Sequence, residues 1–357
     1  MQNSSQSKVS VDARLLALIA CPDCRGDLSV SIHGEINEEE LLCSSCRRTF
    51  PIVESIPYLI PASLATKEVN TGSHFTQEFT AFAPDIRPPD PVQDFYFYSR
   101  TGLDPSVYQK LPGLLYPEEL PESAYSPDRS QLRGKIVLDG GCGQGRFTRV
   151  AAHSADFVIG LDLGEHVHRA ALECRHLPNV AFVRGSVLDP PFKRGSFDEV
   201  FSIGVLHHTP SPSTGIRRLA ELVRPGGGIS VWVYPHQYWG GPVRAPFNKA
   251  VNRWLRNMPA ERKFAICQHW LYPLGRLQAK FAKRKWTKLL AAPLFLISVP
   301  RHKERETMIA TIFDYFGPPI ISTHSYHELS LWFREAGLID IRELPVPTAC
   351  RGFQPKR

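Results

Sequence analysis

The sequence predicts an α/β fold: a doubly wound, mostly parallel sheet with helices on both faces. Three observations predict it. An apolar run, Ile136 to Leu138, ends in Asp139, and four glycines crowd the next six positions before a helical stretch begins near Phe147. Strand-like and helical segments then alternate from Lys135 to Tyr234, the pattern of a parallel sheet with crossover helices. Finally, a capped helix and two short strand-like segments close the chain between Ser325 and Phe353.

Taken in order, the chain opens on Met1 to Ser10, which is polar and lacks the apolar core of a signal peptide. Leu15 to Ala20 reads as a short apolar helix leading into Cys21-Pro-Asp-Cys24. A polar hairpin-like stretch, Leu28 to Leu42, precedes Cys43-Ser-Ser-Cys46. Two Cys-x-x-Cys knuckles can complete a tetrahedron of thiolates around a structural zinc, and four thiolates leave no open position for catalysis. So small a segment has too little core to fold unaided, so the metal would supply folding energy. A zinc-ribbon domain is therefore expected over 1–62. The connector over 63–133 holds Phe75, Phe79, Phe82, Phe95, Tyr96, Phe97 and Tyr98. These are too many large apolar groups for a free linker, so some should pack on the large domain expected over 134–357 and some can line a pocket.

Strands are expected at Ile136–Asp139, Asp156–Asp162, Asn179–Gly185, Phe197–Ile203 and Gly227–Tyr234. A helix over Ser213–Val223 should end at Arg224-Pro-Gly-Gly227. The ligand of such a sheet lies beyond the carboxyl ends of its strands, at the switch point. The alternation breaks at Pro235, and a helical, aromatic and basic insertion after the fifth strand is expected over about 235–308. From Arg244 to Arg305 there are 15 Lys and Arg against two Glu, a net +13 within a chain of net +7. Lys280 to Lys288 is the densest run. Ser325-Tyr-His-Glu328 is a capping box for the closing helix, which Gly337 stops. Leu338–Leu344 and Thr348–Phe353 can supply an antiparallel last pair, completing seven strands. No apolar run approaches the roughly 20 residues that span a bilayer, and the scattered Cys142, Cys174, Cys267 and Cys350 suit a reducing compartment. A soluble, cytoplasmic protein is expected.

The glycine loop reads Asp139-x-Gly141-x-Gly143-x-Gly145-Arg146. A dinucleotide fingerprint would need a small residue where Arg146 stands. The strand-end acid suits a ligand carrying an ammonium group. Asp162 follows at the distance of an acid that chelates ribose hydroxyls. With Arg184–Phe192, Ser196–Thr209 and the Arg224-Pro-Gly-Gly turn, these motifs resemble the class I S-adenosylmethionine-dependent methyltransferases, densely over Lys135–Tyr234 and more loosely at the end. The resemblance implies a Rossmann-like methyltransferase sheet. It also implies S-adenosylmethionine held by Asp139, Gly141, Gly143, Gly145, Asp162, Ser186, Val187 and Ile203. At Ser186 the family usually has Asp after Gly, a departure in the adenine stretch. Leu15 to Ile60 resembles the small zinc ribbons that accompany methyltransferases, with Cys21, Cys24, Cys43 and Cys46 as ligands and a structural or docking role. The segment Arg100-Thr-Gly102 sits where related enzymes place a chain segment over the cofactor.

Methyl transfer by in-line displacement requires the nucleophile, methyl and sulfur in a line, and a hydroxyl or acidic carbon also requires a base. His207 and His208, just past the fourth strand, are the catalytic candidates, because imidazole titrates near neutrality. Tyr234, His236, Tyr238 and Trp239 are second candidates for the acceptor wall, and His324, Tyr326 and His327 third. The leading expectation is a small-molecule acceptor, a metabolite, quinone or lipid-like compound, with the insertion as lid. Its basic surface would meet an anionic partner, RNA or membrane. Methylation of an RNA base is the first alternative, and a non-enzymatic cofactor-binding regulator the second.

Overall fold

The computed structural model describes residues 11–33, 38–64, 66–81, 91–107, 127–282, 291–300 and 304–356. Met1 to Ser10, Phe82 and most of the basic run after Ala282 lie outside the described residues. Helix α1 (Ala13–Leu18) starts at Asp12, whose side chain accepts from the Arg14 N–H. Four short strands follow: β1 (Leu28–His33), β2 (Glu38–Cys43), β3 (Thr49–Val53) and β4 (Ile56–Pro57). They form an antiparallel sheet in that order. The connector supplies α2 (Thr66–Ala81) and α3 (Pro91–Thr101).

The large domain then runs β5 (Ile136–Gly140), α4 (Arg146–Ala152), β6 (Phe157–Asp162), α5 (Val167–Cys174), β7 (Val180–Arg184), β8 (Phe197–Ile203), α6 (Pro212–Ala220) and β9 (Val223–Trp232). Helices α7 (Gly241–Leu255), α8 (Ala260–Ile266), α9 (Tyr272–Phe281) and α10 (Arg305–Phe316) make the insertion, and α11 (Tyr326–Glu335), β10 (Ile339–Glu343) and β11 (Ala349–Phe353) close the chain. The seven-stranded order is β10-β11-β9-β8-β5-β6-β7. Strands β5 to β9 are parallel to their neighbours, whereas β11 runs antiparallel to both β9 and β10. Strand direction of travel reverses between β5 and β8, which opens a crevice at their carboxyl ends. Buried parallel strands read as continuous apolar runs because both faces are covered: Val137 and Leu138 on β5, and Val158, Ile159 and Leu161 on β6, are fully or almost fully buried.

Two elements depart from expectation. Strand β9 begins at Val223, the last residue of the expected helix, and runs through the expected Pro-Gly-Gly turn, because Phe197 pairs with Val223 while Glu199 pairs with Gly228, and the extra residues bulge out. The helical layer also continues past 308, since α10 ends only at Phe316. This layer has its own core of Trp239, Leu255, Leu271, Met308, Ile312 and Phe316.

The ribbon is not a separate lobe. Its Leu15, Ile19, Leu41, Phe50 and Leu59 share one continuous apolar core with Leu161, Val183 and Phe192 of the large domain. It covers the outer edge of the sheet: the Leu59 N–H donates to the Arg184 carbonyl of β7 at 2.8 Å, and Tyr58 bridges the same residue in parallel fashion. On its other flank the Ala20 N–H donates to Pro191 O at 2.9 Å. Phe95, Phe97 and Tyr98 of α3 are buried against Val137, Val150 and Phe201. Arg100 lies behind the sheet, its guanidinium 4.4 Å from the Tyr96 ring and 4.8 Å from that of Trp232, so Arg100–Gly102 does not roof the crevice. Helix α2 does.

Candidate active site

The glycine loop is held by its backbone. The N–H groups of Gly141 and Cys142 both donate to Leu161 O, at 2.7 and 3.0 Å. Gly141 has φ +94°, and a Cβ there would stand 2.4 Å from Val205, so no other residue fits. Gly145 has φ +75° and caps α4, where a Cβ would press on Ala170 and Cys174 at 3.2 and 3.3 Å. It serves helix packing and does not line the cavity.

The loop, the ends of β6, β7 and β8, and one face of α2 enclose a cavity of about 310 Å³. Asp162 lies at its wall. Its carboxylate accepts from the Gly143 and Gly164 N–H groups, both at 2.9 Å, and lies 3.0 Å from His166 Nε2. Burial alone would raise its pKa, but His166 and the two amides outweigh burial and hold the carboxyl below its ordinary value. It therefore stays ionised, with two fixed oxygens. Ser186 and Val187 line the same cavity. The Ser186 hydroxyl donates to Glu68 Oε1 at 2.8 Å. A carboxylate thus stands beside position 186, delivered by α2. Gly141, Gly143, Ile203 and His208 also line the wall.

Asp139 is placed differently. It is buried beneath the loop, away from the cavity lining. Its carboxylate accepts from the Thr148 hydroxyl at 2.7 Å, and burial pushes its pKa up to about 7.

The paired histidines separate in role. His208 Nδ1 lies 2.9 Å from Ile320 O. A carbonyl only accepts, so Nδ1 carries the hydrogen and the Nε2 lone pair stays available. Burial lowers its pKa to about 4, against a smaller opposing effect of that hydrogen bond, and the ring is neutral at physiological pH. His207 is fully buried, lies outside the cavity lining, and neither ring nitrogen has a hydrogen-bond partner. Its ring lies 3.7 Å from that of Tyr234. Its carbonyl accepts from the Ser322 N–H at 2.9 Å, which ties down the chain leaving the insertion. Tyr234 stacks on Tyr238 at 4.0 Å and donates to Asp314 Oδ2 at 3.1 Å, behind the histidines. Trp239 is buried in the insertion's core. His236 faces Glu328, the Tyr326 hydroxyl binds Leu344 O, and His327 is exposed. Cys142 lines the cavity, but burial pushes its thiol far up, which suits a small loop residue and not a nucleophile.

The residues missed by the sequence reading come chiefly from α2: Glu68, Thr71 and Gly72, beside Phe75 and Phe79, two of the connector aromatics expected to pack or to line a pocket. The four-residue spacing of Phe75 and Phe79 was the available signal. Gln144, Arg146, His166 and Thr209 complete the missed set. Thr209 also lines a second cavity of about 1110 Å³, with Ser322, His324, His74, Lys263 and Arg256 on its walls. Thr209, next to His208, thus lines both cavities.

In the ribbon, the four cysteine sulfurs lie within 4.8 Å of one another. Cys21 and Cys46 sulfurs are 3.7 Å apart, and those of Cys24 and Cys43 3.4 Å. A zinc at about 2.3 Å from each thiolate needs edges near 3.8 Å, so the donor set fits a structural zinc.

Residues 138–231 match the methyltransferase domain model, over the strands and loops that build the first cavity. The chain carries a methyltransferase domain. Residues 12–55, the ribbon, match the Trm112p-like protein model. The methyltransferase region resembles a tRNA U34 carboxymethyltransferase of Azotobacter vinelandii, at 40% identity over 153 residues, 42% of this chain and 47% of that one. An uncharacterised chloroplastic methyltransferase of Arabidopsis thaliana is 29% identical over 248 residues, 65% of each chain. The alignments thus span about half to two-thirds of these relatives. Among solved structures, an S-adenosylmethionine-dependent methyltransferase of Mesorhizobium loti is 29% identical over 32% of this chain and 52% of that one, with a TM-score of 0.29.

Proposed function

We propose that this chain transfers the methyl group of S-adenosylmethionine to a small-molecule acceptor, a metabolite, quinone or lipid-like compound, held against His208. The observation that carries this reading is the neutral His208 on the wall of the first cavity, beside Thr209, which lines both cavities. S-adenosylmethionine supplies a methyl group made electrophilic by its sulfonium. The residues do the rest. Asp162 offers two oriented oxygens to the ribose hydroxyls, and the Glu68–Ser186 pair offers a carboxylate and hydroxyl near the base. Phe75 and Phe79 close the roof and exclude water. His208, with its hydrogen fixed on Nδ1, can take the acceptor's proton at Nε2. The domains divide as ribbon 1–62, connector 63–133 and methyltransferase 134–357. The zinc-bound ribbon supports the sheet edge and touches no substrate.

A second reading, methylation of RNA, is favoured by the 40% identity to a tRNA-modifying relative. One experiment separates the two. Labelled S-adenosylmethionine is incubated with a cell extract, which is then split into RNA, protein and organic-soluble fractions. Label in the organic fraction, lost in Asp162→Ala and reduced in His208→Ala, supports the small-molecule reading. Label in RNA replaces it with the second, and cofactor binding without label in any fraction overturns both.

A further inference from the structure

We infer that the outer face of the helical layer is a docking surface for an anionic lipid bilayer. Eleven large apolar residues are exposed among the described residues, and five of them fall within 243–277: Val243, Phe247, Trp254, Trp270 and Leu277. On α7, Val243, Phe247 and Trp254 are four and seven residues apart. At about 100° per residue they make one stripe. The helix's buried Asn248, Asn252 and Leu255 lie on another face, against the layer's core. Lys249 and Arg253 are exposed on the same helix, Arg253 about 100° round from the stripe and Lys249 farther round on that side. Farther on, Trp270 and Leu277 repeat the seven-residue spacing, with exposed Arg276 and Lys280 beside them.

Trp270 is 75% exposed and Trp254 59%. An indole combines a large apolar body with one donor, which suits the headgroup level of a bilayer. A helix with an apolar solvent-facing stripe and a Lys/Arg flank is the pattern of an element lying in that interface. The charge completes the case: in sequence 244–305 carries a net +13 while the rest of the chain is about −6, and among the described residues Lys249, Arg253, Arg276 and Lys280 are exposed on the same helices as the apolar groups, so anionic headgroups would meet both. A nucleic acid would use the cations and stack on the indoles, but it offers nothing to Val243 and Leu277.

The test uses the full chain without cofactor or acceptor. It is sedimented with vesicles of phosphatidylcholine alone, and with vesicles of phosphatidylcholine mixed with phosphatidylglycerol. We expect retention on the mixed vesicles only, a part of it persisting in high salt. Trp254→Ala with Trp270→Ala should abolish the salt-resistant part, and Lys249→Glu with Arg253→Glu should weaken binding at low salt by about tenfold or more. These side chains are exposed, so unchanged thermal melting of the variants verifies their folding. Absence of binding to the mixed vesicles overturns the proposal. So does binding that salt abolishes entirely and that is insensitive to the tryptophan changes, the behaviour of a phosphate-tracking surface. No methyl transfer enters this measurement, so it can fail while the catalytic reading stands, and the reverse.

Discussion

Adjacent residues in this chain do different work. His208 lines the cavity as a neutral ring with a fixed tautomer, while the His207 ring packs on Tyr234 and neither of its nitrogens has a hydrogen-bond partner among the described residues. His208→Ala should therefore lower turnover by about a hundredfold or more, whereas His207→Phe should leave it within a fewfold; equal losses would remove the distinction. Burial keeps the His208 pKa near 4, so its contribution should be flat from neutral pH down to about 5 and fall below that, read as kcat against pH. Asp139 gives a stability test. Its folded pKa is raised to about 7, against about 3.9 unfolded. The folded state holds the proton more tightly, so stability declines as pH rises from about 4 to 7 and then levels off. Asp139→Asn keeps an acceptor for Thr148 and removes the charge. Its melting temperature relative to wild type should rise between pH 4 and pH 8, by an amount worth at most a few kcal/mol. Parallel melting curves would refute that reading. Ser186 stands where the resembled family has an acid, and α2 brings the Glu68 carboxylate to within 2.8 Å of its hydroxyl. Glu68→Ala should weaken cofactor binding in calorimetry, and Ser186→Asp in that background should restore much of it.

At the scale of elements, what was legible follows from burial. The parallel strands announce themselves because both faces are covered, so their apolar runs are uninterrupted. The glycine loop announces itself because Gly141 cannot carry a side chain. Gly141→Ala would place a carbon 2.4 Å from Val205 at φ +94°; the protein should lose cofactor binding and melt several degrees lower, and wild-type affinity in the variant would contradict the loop geometry. The roof was not legible. Helix α2 mixes small, polar and aromatic residues, and its partners, Ser186, His166 and Phe313, come from distant parts of the chain. Aromatic density told that the connector packs, but not which part covers the crevice: Phe75 and Phe79 line the cavity, whereas Phe95 and Phe97 are core. The start of β9 was hidden because Pro225 and Gly226 read as a stop, while the register shift lets the strand pass through them.

At the scale of the molecule, the ribbon and the large sheet share one apolar core. A zinc held by the four cysteines should stabilise both, since Leu15, Ile19 and Phe50 share the core of β6 and β7. Removing it with a chelator, or Cys43→Ala, should lower the melting of the whole chain in a single transition; an unchanged melt of the large domain would show the two cores to be uncoupled. The docking of the ribbon on β7 has a consequence for solution behaviour. An uncovered edge strand is a template for pairing with other chains. Here the cover is covalently linked, so its local concentration is set by the tether and not by how much protein is present. Dilution cannot strip it off, and its occupancy does not depend on a second gene product being made in step. The fusion turns what would be an association equilibrium into a folding step.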